Sequence, residues 1–304
     1  MISILIPAHD CFVDKLISGL YRQAANSGKE FEIIISDDAS LKEYRSVNEK
    51  LQELPHVSYH QQEKDLKRAG NRNFLGRQAK YRYLLFIDGD ALVASDDFIN
   101  KYLECCQGQL VVCGGTAYMK EPPADSGYFL RWIYGWKREV KSAESRSRKP
   151  GESFSAFNFL IEKSLFLENP FPEKITDYGH EDTIFGLKIF RKGYHVKHID
   201  NTLIHGGLEP NREFLDKSLN AVENLYHLLS DKEYQSYLTG IRIARWYTFC
   251  RKTGIYLLFR WFYPWIKRPI EHNLFSHKPD LFLFDLYRLG YMLQMDNINL
   301  TDNS

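Results

Sequence analysis

Three short apolar runs, at residues 2–6 (Ile-Ser-Ile-Leu-Ile), 31–35 (Phe-Glu-Ile-Ile-Ile) and 83–87 (Tyr-Leu-Leu-Phe-Ile), decide most of what this chain can fold into. None alternates strictly between polar and apolar residues, as a strand with one wet face would. Each reads as a strand buried on both faces, the habit of a parallel sheet. Between them the apolar period becomes helical: residues 12–25 place Val13, Leu16, Ile17, Leu20 and Ala24 on one face, and Gly28 ends the pattern. Residues 44–54 read as a further helix, 57–60 as a strand, and 69–77 as the start of another helix. Strands alternating with helices predict an α/β fold with a largely parallel sheet flanked by helices.

After residues 111–115 the pattern changes. Residues 137–152 are polar and basic (Lys137, Arg138, Lys141, Arg146, Arg148, Lys149) and read as a mobile surface loop. Residues 154–161 and 194–199 read as strands, and 182–192 as a helix capped by Gly193. From about residue 210 helical periodicity takes over, which predicts a boundary there and a helical C-terminal region over 211–304. No internal repeat is visible.

Composition narrows the class. The chain has 304 residues, 40 Lys and Arg against 39 Asp and Glu, and 14% aromatic residues. A net charge of +1 gives no general argument for nucleic acid. The five cysteines, Cys11, Cys105, Cys106, Cys113 and Cys250, form no C-x-x-C pair and read as reduced thiols. The N-terminus lacks a basic segment before its apolar stretch, unlike a signal peptide. No run approaches the roughly 18–20 apolar residues that span a bilayer. These features predict a cytoplasmic protein, with a position on a membrane surface left open.

The candidate chemistry is acidic and sits at strand ends. Asp37-Asp38 follows the second strand and Asp88-Gly89-Asp90 the third. In open α/β sheets, ligands bind outside the carboxyl ends of the strands. Asp88 and Asp90, separated by a glycine, suit a hard divalent cation that also takes phosphate oxygens. Taken alone so short a pattern is a common strand-end turn. Glu181-Asp182 opens a helix, where acids also serve the helix dipole. His205-Gly206-Gly207 follows a later strand. Arg72-Asn73 lies at a helix start, a place for an anion.

In this order and spacing the pieces resemble glycosyltransferase family 2, the inverting enzymes of GT-A fold. Ser3-Ile4-Leu5-Ile6-Pro7-Ala8-His9-Asp10 is similar to the family's opening strand, with His9-Asp10 in place of its usual ending. Residues 31–40 are similar to its strand ending Asp-Asp-Gly-Ser, with Ala39 for the glycine, an exchange expected to be harmless. Arg72-Asn73-Phe74-Leu75-Gly76, the strand ending Asp88-Gly89-Asp90, and Gly179-His180-Glu181-Asp182-Thr183 followed by Arg191-Lys192-Gly193-Tyr194 match later segments. The likeness covers residues 1–207.

The resemblance implies a GT-A catalytic domain over 1–210, with a nucleotide-binding half over 1–115 and an acceptor half over 116–210. It also implies roles. Asp38 would bind the nucleotide base, most often uracil, with Pro7 and Asp10 lining that pocket. Arg72 would contact the nucleotide or diphosphate. Asp88 would contact ribose or the metal. Asp90 would ligate Mn2+ or Mg2+, with His205 as a further ligand. Asp182 would be the catalytic base, with Glu181 positioning hydroxyl groups. The reaction expected is transfer of a sugar from a nucleotide-sugar donor, a UDP-sugar first, to a glycan or lipid-linked acceptor in surface or envelope polysaccharide synthesis. The basic stretch 137–149 would close over the diphosphate or stay a solvated loop.

Two other readings stand beside it. A nucleotidyltransferase should carry a glycine-rich basic loop after the first strand, where Pro7-Ala8-His9-Asp10 stands instead. A catalytically inactive nucleotide-binding scaffold would not need Asp88, Asp90, Glu181 and Asp182. Beyond the likeness, residues 241–278 hold eight Lys and Arg against one acid, Glu271, interleaved with Trp246, Trp261, Trp265 and other aromatics. Such a segment packs on protein, as within a homodimer, or lies against an anionic membrane.

Overall fold

The computed structural model describes residues 1–106 and 111–301, without the side chains of 260 and 297–301. The chain divides into two compact units. The first comprises residues 1–119, 139–176 and 181–207; the second comprises 120–138, 177–180 and 208–304.

The first unit is built on a seven-stranded sheet of β1 (Ile2–Ala8), β2 (Phe31–Asp37), β3 (Val57–Gln61), β4 (Tyr83–Ile87), β6 (Val111–Cys113), β8 (Asn158–Glu162) and β9 (Val196–His198). The short strands β5 (Ala91–Leu92), β7 (Thr116–Ala117) and β10 (Leu203–His205) form a second, three-stranded sheet. The large sheet has the order β3-β2-β1-β4-β8-β6-β9. Only β8 pairs antiparallel with its neighbours β4 and β6; the other pairings are parallel.

The sheet is buried on both faces, as its apolar runs demand. Ile2, Ile4 and Ile6 pack with Leu16, Ile17 and Leu20 of α1 (Asp14–Asn26) and with Phe98 and Tyr102 of α4 (Phe98–Cys105). Leu5, Leu84 and Phe86 point the other way. They meet Leu75 of α3 (Lys67–Gln78), Phe166 of α7 (Lys163–Glu168) and Phe185 of α8 (Glu181–Arg191). The polar residue within β1, Ser3, is satisfied: it donates to Glu32 Oε1 at 2.6 Å and accepts from the Tyr81 amide. The region 44–54 becomes α2 (Lys42–Asn48) followed by a 3-10 turn, Glu49–Glu53.

One segment departs from its sequence reading. Residues 139–152 are not a loose loop. They include α6 (Ala143–Ser147), whose N-cap Ser142 accepts from the Ser145 amide at 3.2 Å. Arg146 is buried. Its guanidinium donates to the carbonyls of Cys113, Gly114 and Ile199 at 3.0, 3.1 and 2.7 Å and to His198 Nδ1 at 2.9 Å. It is therefore turned into the sheet edge rather than offered to a diphosphate. Arg148 and Lys149 do lie on the surface, paired with Glu144 and Glu152.

The second unit is helical: α5 (Phe129–Tyr134), α9 (Asn211–Ser230), α10 (Gln235–Leu238), α11 (Arg242–Thr253), α12 (Ile255–Leu274) and α13 (Leu281–Thr301). Leu130, Phe214, Ile270, Leu274 and Phe284 form one core; Cys250, Leu289 and Leu293 form another. Arg131 reaches Glu209 at 3.0 Å while its guanidinium lies over Phe214. Lys137 and Arg138, read from sequence as part of the basic loop, belong to this unit, and Arg138 pairs with Asp285 at 2.8 Å. Among the described residues no helix is long and apolar enough to cross a membrane. All five cysteines are free.

Candidate active site

In the large sheet the chain winds from β1 outward through β2 to β3, then crosses back to β4 on the other side of β1. Such a reversal opens a crevice at the carboxyl ends of the two central strands, where α/β proteins bind ligands. The residues at those ends are Pro7 to Asp10 and Asp88 to Asp90. A methyl group at Gly89 would lie 2.9 Å from Cys11 Sγ and 3.1 Å from the Pro7 carbonyl oxygen, so only glycine lets the two strand ends come this close.

The structure sorts the acidic residues into three groups. The first centres on Arg72 of α3. Its side chain is 5% exposed, its Nη2 donates to Asp88 Oδ1 at 2.6 Å, and its Nη1 stands 3.8 Å from Glu181 Oε1. Phe171 lies under the guanidinium, 5.5 Å from its carbon to the ring centroid. Nε and Nη1 of this buried group have no hydrogen-bond partner. Buried donors without partners are costly, and a ligand that accepts from them recovers that cost. Arg72 thus joins Asp88, at a strand end, to Glu181, more than ninety residues later. Arg68, one turn earlier on α3, stands 4.0 Å from the same Glu181 oxygen.

Asp182 follows at the start of α8. Its Oδ1 accepts from the Thr183 amide at 2.6 Å. Burial and the neighbouring Glu181 carboxylate push its carboxyl up to about 6.

The second group is Asp90 and His205. The pairing of Ala91 in β5 with His205 in β10 brings them together, with Asp90 Oδ2 3.5 Å from His205 Nε2. The imidazole is clamped between Tyr118 and Phe157, ring centroids 5.4 and 5.5 Å away and both nearly parallel to it. A methyl group at Gly207 would lie 2.6 Å from Asp90 Oδ2, so this glycine holds open the space the carboxylate uses. A cavity of about 500 Å3 opens beside Asp90, lined also by Cys11, Phe12, Gly89 and Gly206. That size suits a small ligand.

The third group holds Asp38 and Asp10. Asp37 is structural: it accepts from the Ser40 amide at 2.9 Å and from the Tyr59 hydroxyl at 2.8 Å. Asp38 is buried and accepts from the Leu66 amide at 2.6 Å, and its burial pushes its carboxyl up to about 6. Asp10 is exposed and accepts from the Leu41 amide at 2.7 Å, while the His9 ring donates to the Asp38 carbonyl. Ala39 has φ 57°, in the left-handed region. The exchange of glycine for alanine there carries a backbone cost of roughly 1 kcal/mol and is not free.

Among the described residues no three His, Cys, Asp or Glu side chains converge into a metal cage. A carboxylate oxygen and an imidazole nitrogen 3.5 Å apart can nevertheless both reach one divalent ion, and the open cavity beside them leaves room for phosphate oxygens. The donor set therefore fits an ion of the Mn2+ or Mg2+ class. Asp88 has turned one oxygen to Arg72. Sequence reading missed the aromatic clamp and Phe171, which carry no motif. Arg68 was legible, being four residues before Arg72 on one helix.

A family model described as glycosyl transferase family 2 matches residues 3–166. A chondroitin synthase of Escherichia coli is 21% identical over 215 residues, 60% of this chain and 31% of its own, so the chain spans about a third of that curated relative. Among solved structures, a mannosyltransferase from Pyrobaculum calidifontis in complex with GDP-Man and Mn2+ superposes with TM-score 0.58 at 14% identity, over 100% of this chain and 88% of the other. S. aureus TarS 1-349 in complex with UDP-GlcNAc superposes with TM-score 0.51 at 15% identity, over 97% and 91%.

Proposed function

The chain belongs to glycosyl transferase family 2 and has the GT-A fold of glycosyltransferases, and on that premise we propose that it moves a sugar, with inversion, from a UDP-sugar to a glycan or lipid-linked acceptor of a surface or envelope polysaccharide. The observation that carries this reading is Arg72: a buried guanidinium with unused donors, held between Asp88 and Glu181 at the sheet's switch point. The names of similar proteins support it, since one makes chondroitin and two others were captured with nucleotide sugars.

In this reading Asp38 accepts from the base, with Pro7 and Asp10 beside it, and Asp88 meets the ribose. The acceptor oxygen attacks the anomeric carbon on the face away from the diphosphate. Asp182 takes the hydroxyl proton, help that is typically worth about 10²–10⁴-fold. The bond from the anomeric carbon to the phosphate oxygen breaks, and its electron pair leaves with the diphosphate. Arg72 faces that growing charge with donors already in place. Glu181 positions the hydroxyl groups. Asp90 and His205, with Asp88 alongside, would hold a divalent ion, which when bound supplies Lewis-acid neutralisation of the leaving group. One displacement with one base inverts the anomeric centre.

The test offers UDP-glucose, UDP-N-acetylglucosamine and GDP-mannose with alkyl glycoside acceptors and follows nucleoside diphosphate release. Asp182→Asn is expected to keep nucleotide binding and lose about 10²-fold or more in transfer. Transfer at an undiminished rate would remove Asp182 as base. A product with the donor's anomeric configuration, read by its proton coupling, would remove inversion.

A further inference from the structure

The outer faces of α11 and α12 carry a surface that the transferase chemistry leaves unused. α12 carries apolar side chains on two opposite faces. One face, with Tyr263, Ile270 and Leu274, is buried in the helical core. The opposite face presents Leu258, Trp261, Phe262 and Trp265 at three- and four-residue spacing, and the two indoles are 66% and 76% exposed. α11 adds Trp246 and Phe249, also exposed, with ring centroids 5.7 Å apart. A helix on a water-facing surface carries polar residues on its outer side. Single exposed apolar residues need no explanation, but a run of them marks a docking surface.

Glu271 apart, the charged side chains of α11 and α12 are cationic. Arg245, Lys252 and Arg268 are exposed, and none has an acidic partner among the described residues. The nearby acids are committed elsewhere. Glu271 accepts from the Tyr287 hydroxyl, Asp285 pairs with Arg138 and Arg242, and Asp296 pairs with Arg251. Just beyond α12, Lys137, His277 and Lys278 line a cavity of about 470 Å3 together with Asp280 and the exposed Phe282. Cations beside exposed aromatic rings recur along this unit.

We propose that the outer face of α11 and α12 docks on the surface of an anionic lipid bilayer. Indole and phenyl rings settle at headgroup depth, and arginine and lysine meet the lipid phosphates, so both signals needed for stable attachment are present. Charge decides against a second copy of the chain. Pairing this face with itself would gather the unpaired Arg245, Lys252 and Arg268 of both copies at one seam, adding like charge. The helix lies on the membrane rather than crossing it, consistent with the lack of any spanning helix among the described residues.

The test is flotation of the full chain with phosphatidylcholine vesicles, with and without phosphatidylglycerol, at low and high salt. Neither donor nor acceptor is present, so the result stands apart from the transferase reading. The protein is expected to float with anionic vesicles only, with a blue shift of its tryptophan emission, and to release at high salt. Trp261→Ala with Trp265→Ala should weaken partition at least about tenfold. Arg245→Gln and Arg268→Gln should each weaken it about fivefold. All four side chains are exposed, and unchanged thermal midpoints show that the variants fold. Failure to float with anionic vesicles at low salt overturns the proposal, as does full binding by the tryptophan variant. Concentration-dependent shielding of the indoles from acrylamide without vesicle binding also overturns it, since that marks a dimer face.

Discussion

At the scale of single residues, the site depends on where charges lose their water. Asp182, half-buried, has a carboxyl raised to about 6 because the fold strips water from it and sets the Glu181 carboxylate beside it. A base must be ionised to accept a proton, so kcat is expected to fall as pH drops below about 6. The same shift has a thermodynamic consequence. The ordinary carboxyl value is 3.8, so between about pH 4 and 6 the native state holds a proton that the unfolded chain has lost. Native stability therefore declines as pH rises through that window and levels off above it. Asp182→Asn removes the cost of ionisation. Its thermal midpoint should match the parent near pH 4 and exceed it by a few degrees above pH 6. A difference that does not change with pH would show that Asp182 titrates normally. Asp38, also raised to about 6, is retained in both proteins and cancels from the comparison.

At the scale of elements, short pairings position long-range chemistry. β5 is two residues long, yet its ladder with β10 sets Asp90 against a histidine more than a hundred residues away. Gly207 follows that ladder and leaves the carboxylate its space. Gly207→Ala is expected to displace Asp90 with little loss of fold, because the clash falls on one side-chain oxygen beside an open cavity. The check is a metal titration of activity. A higher metal requirement at an unchanged thermal midpoint supports the arrangement, and an unchanged requirement would show that Asp90 does not hold the ion. α6 teaches the converse lesson. Its residues are charged, and charge reads as surface. Arg146 nevertheless lies inside because its fork of donors is satisfied there by three carbonyls at strand ends, so its charge is not buried without partners.

At the scale of the whole molecule, ligand and fold are linked. Anything that binds only the native state stabilises it, by about 2.7 kcal/mol at a hundred times its dissociation constant. In a chain this long that is a shift of several degrees. The expected result is a rise in thermal midpoint with UDP that grows with Mn2+, with the metal-dependent part absent in Asp90→Ala and His205→Ala. A larger rise with GDP, CDP or dTDP would keep the chemistry and change the donor. An undiminished metal effect in Asp90→Ala would remove it as a ligand.

Local order was legible from residue order alone. Tyr83–Ile87 is a strand with the bounds its apolar run implies, α8 runs from the acid pair to just before Gly193, and the long helix α9 begins at Asn211, although the helical unit also takes in residues 120–138 from earlier in the chain. These follow from spacing, since burying one or both faces of an element imposes a period on its sequence. Each acid cluster was also visible, because strand ends and helix starts carry recognisable residues. Partnership was not. That Arg72 stands between Asp88 and Glu181, that Tyr118 and Phe157 stack with His205, and that Asp37 accepts from Ser40 and Tyr59 while Asp38 accepts from Leu66 follow from the folded contacts. Such contacts leave no period in the sequence, and the Asp182 carboxyl is raised only because folding removes water from around it and sets a second carboxylate beside it.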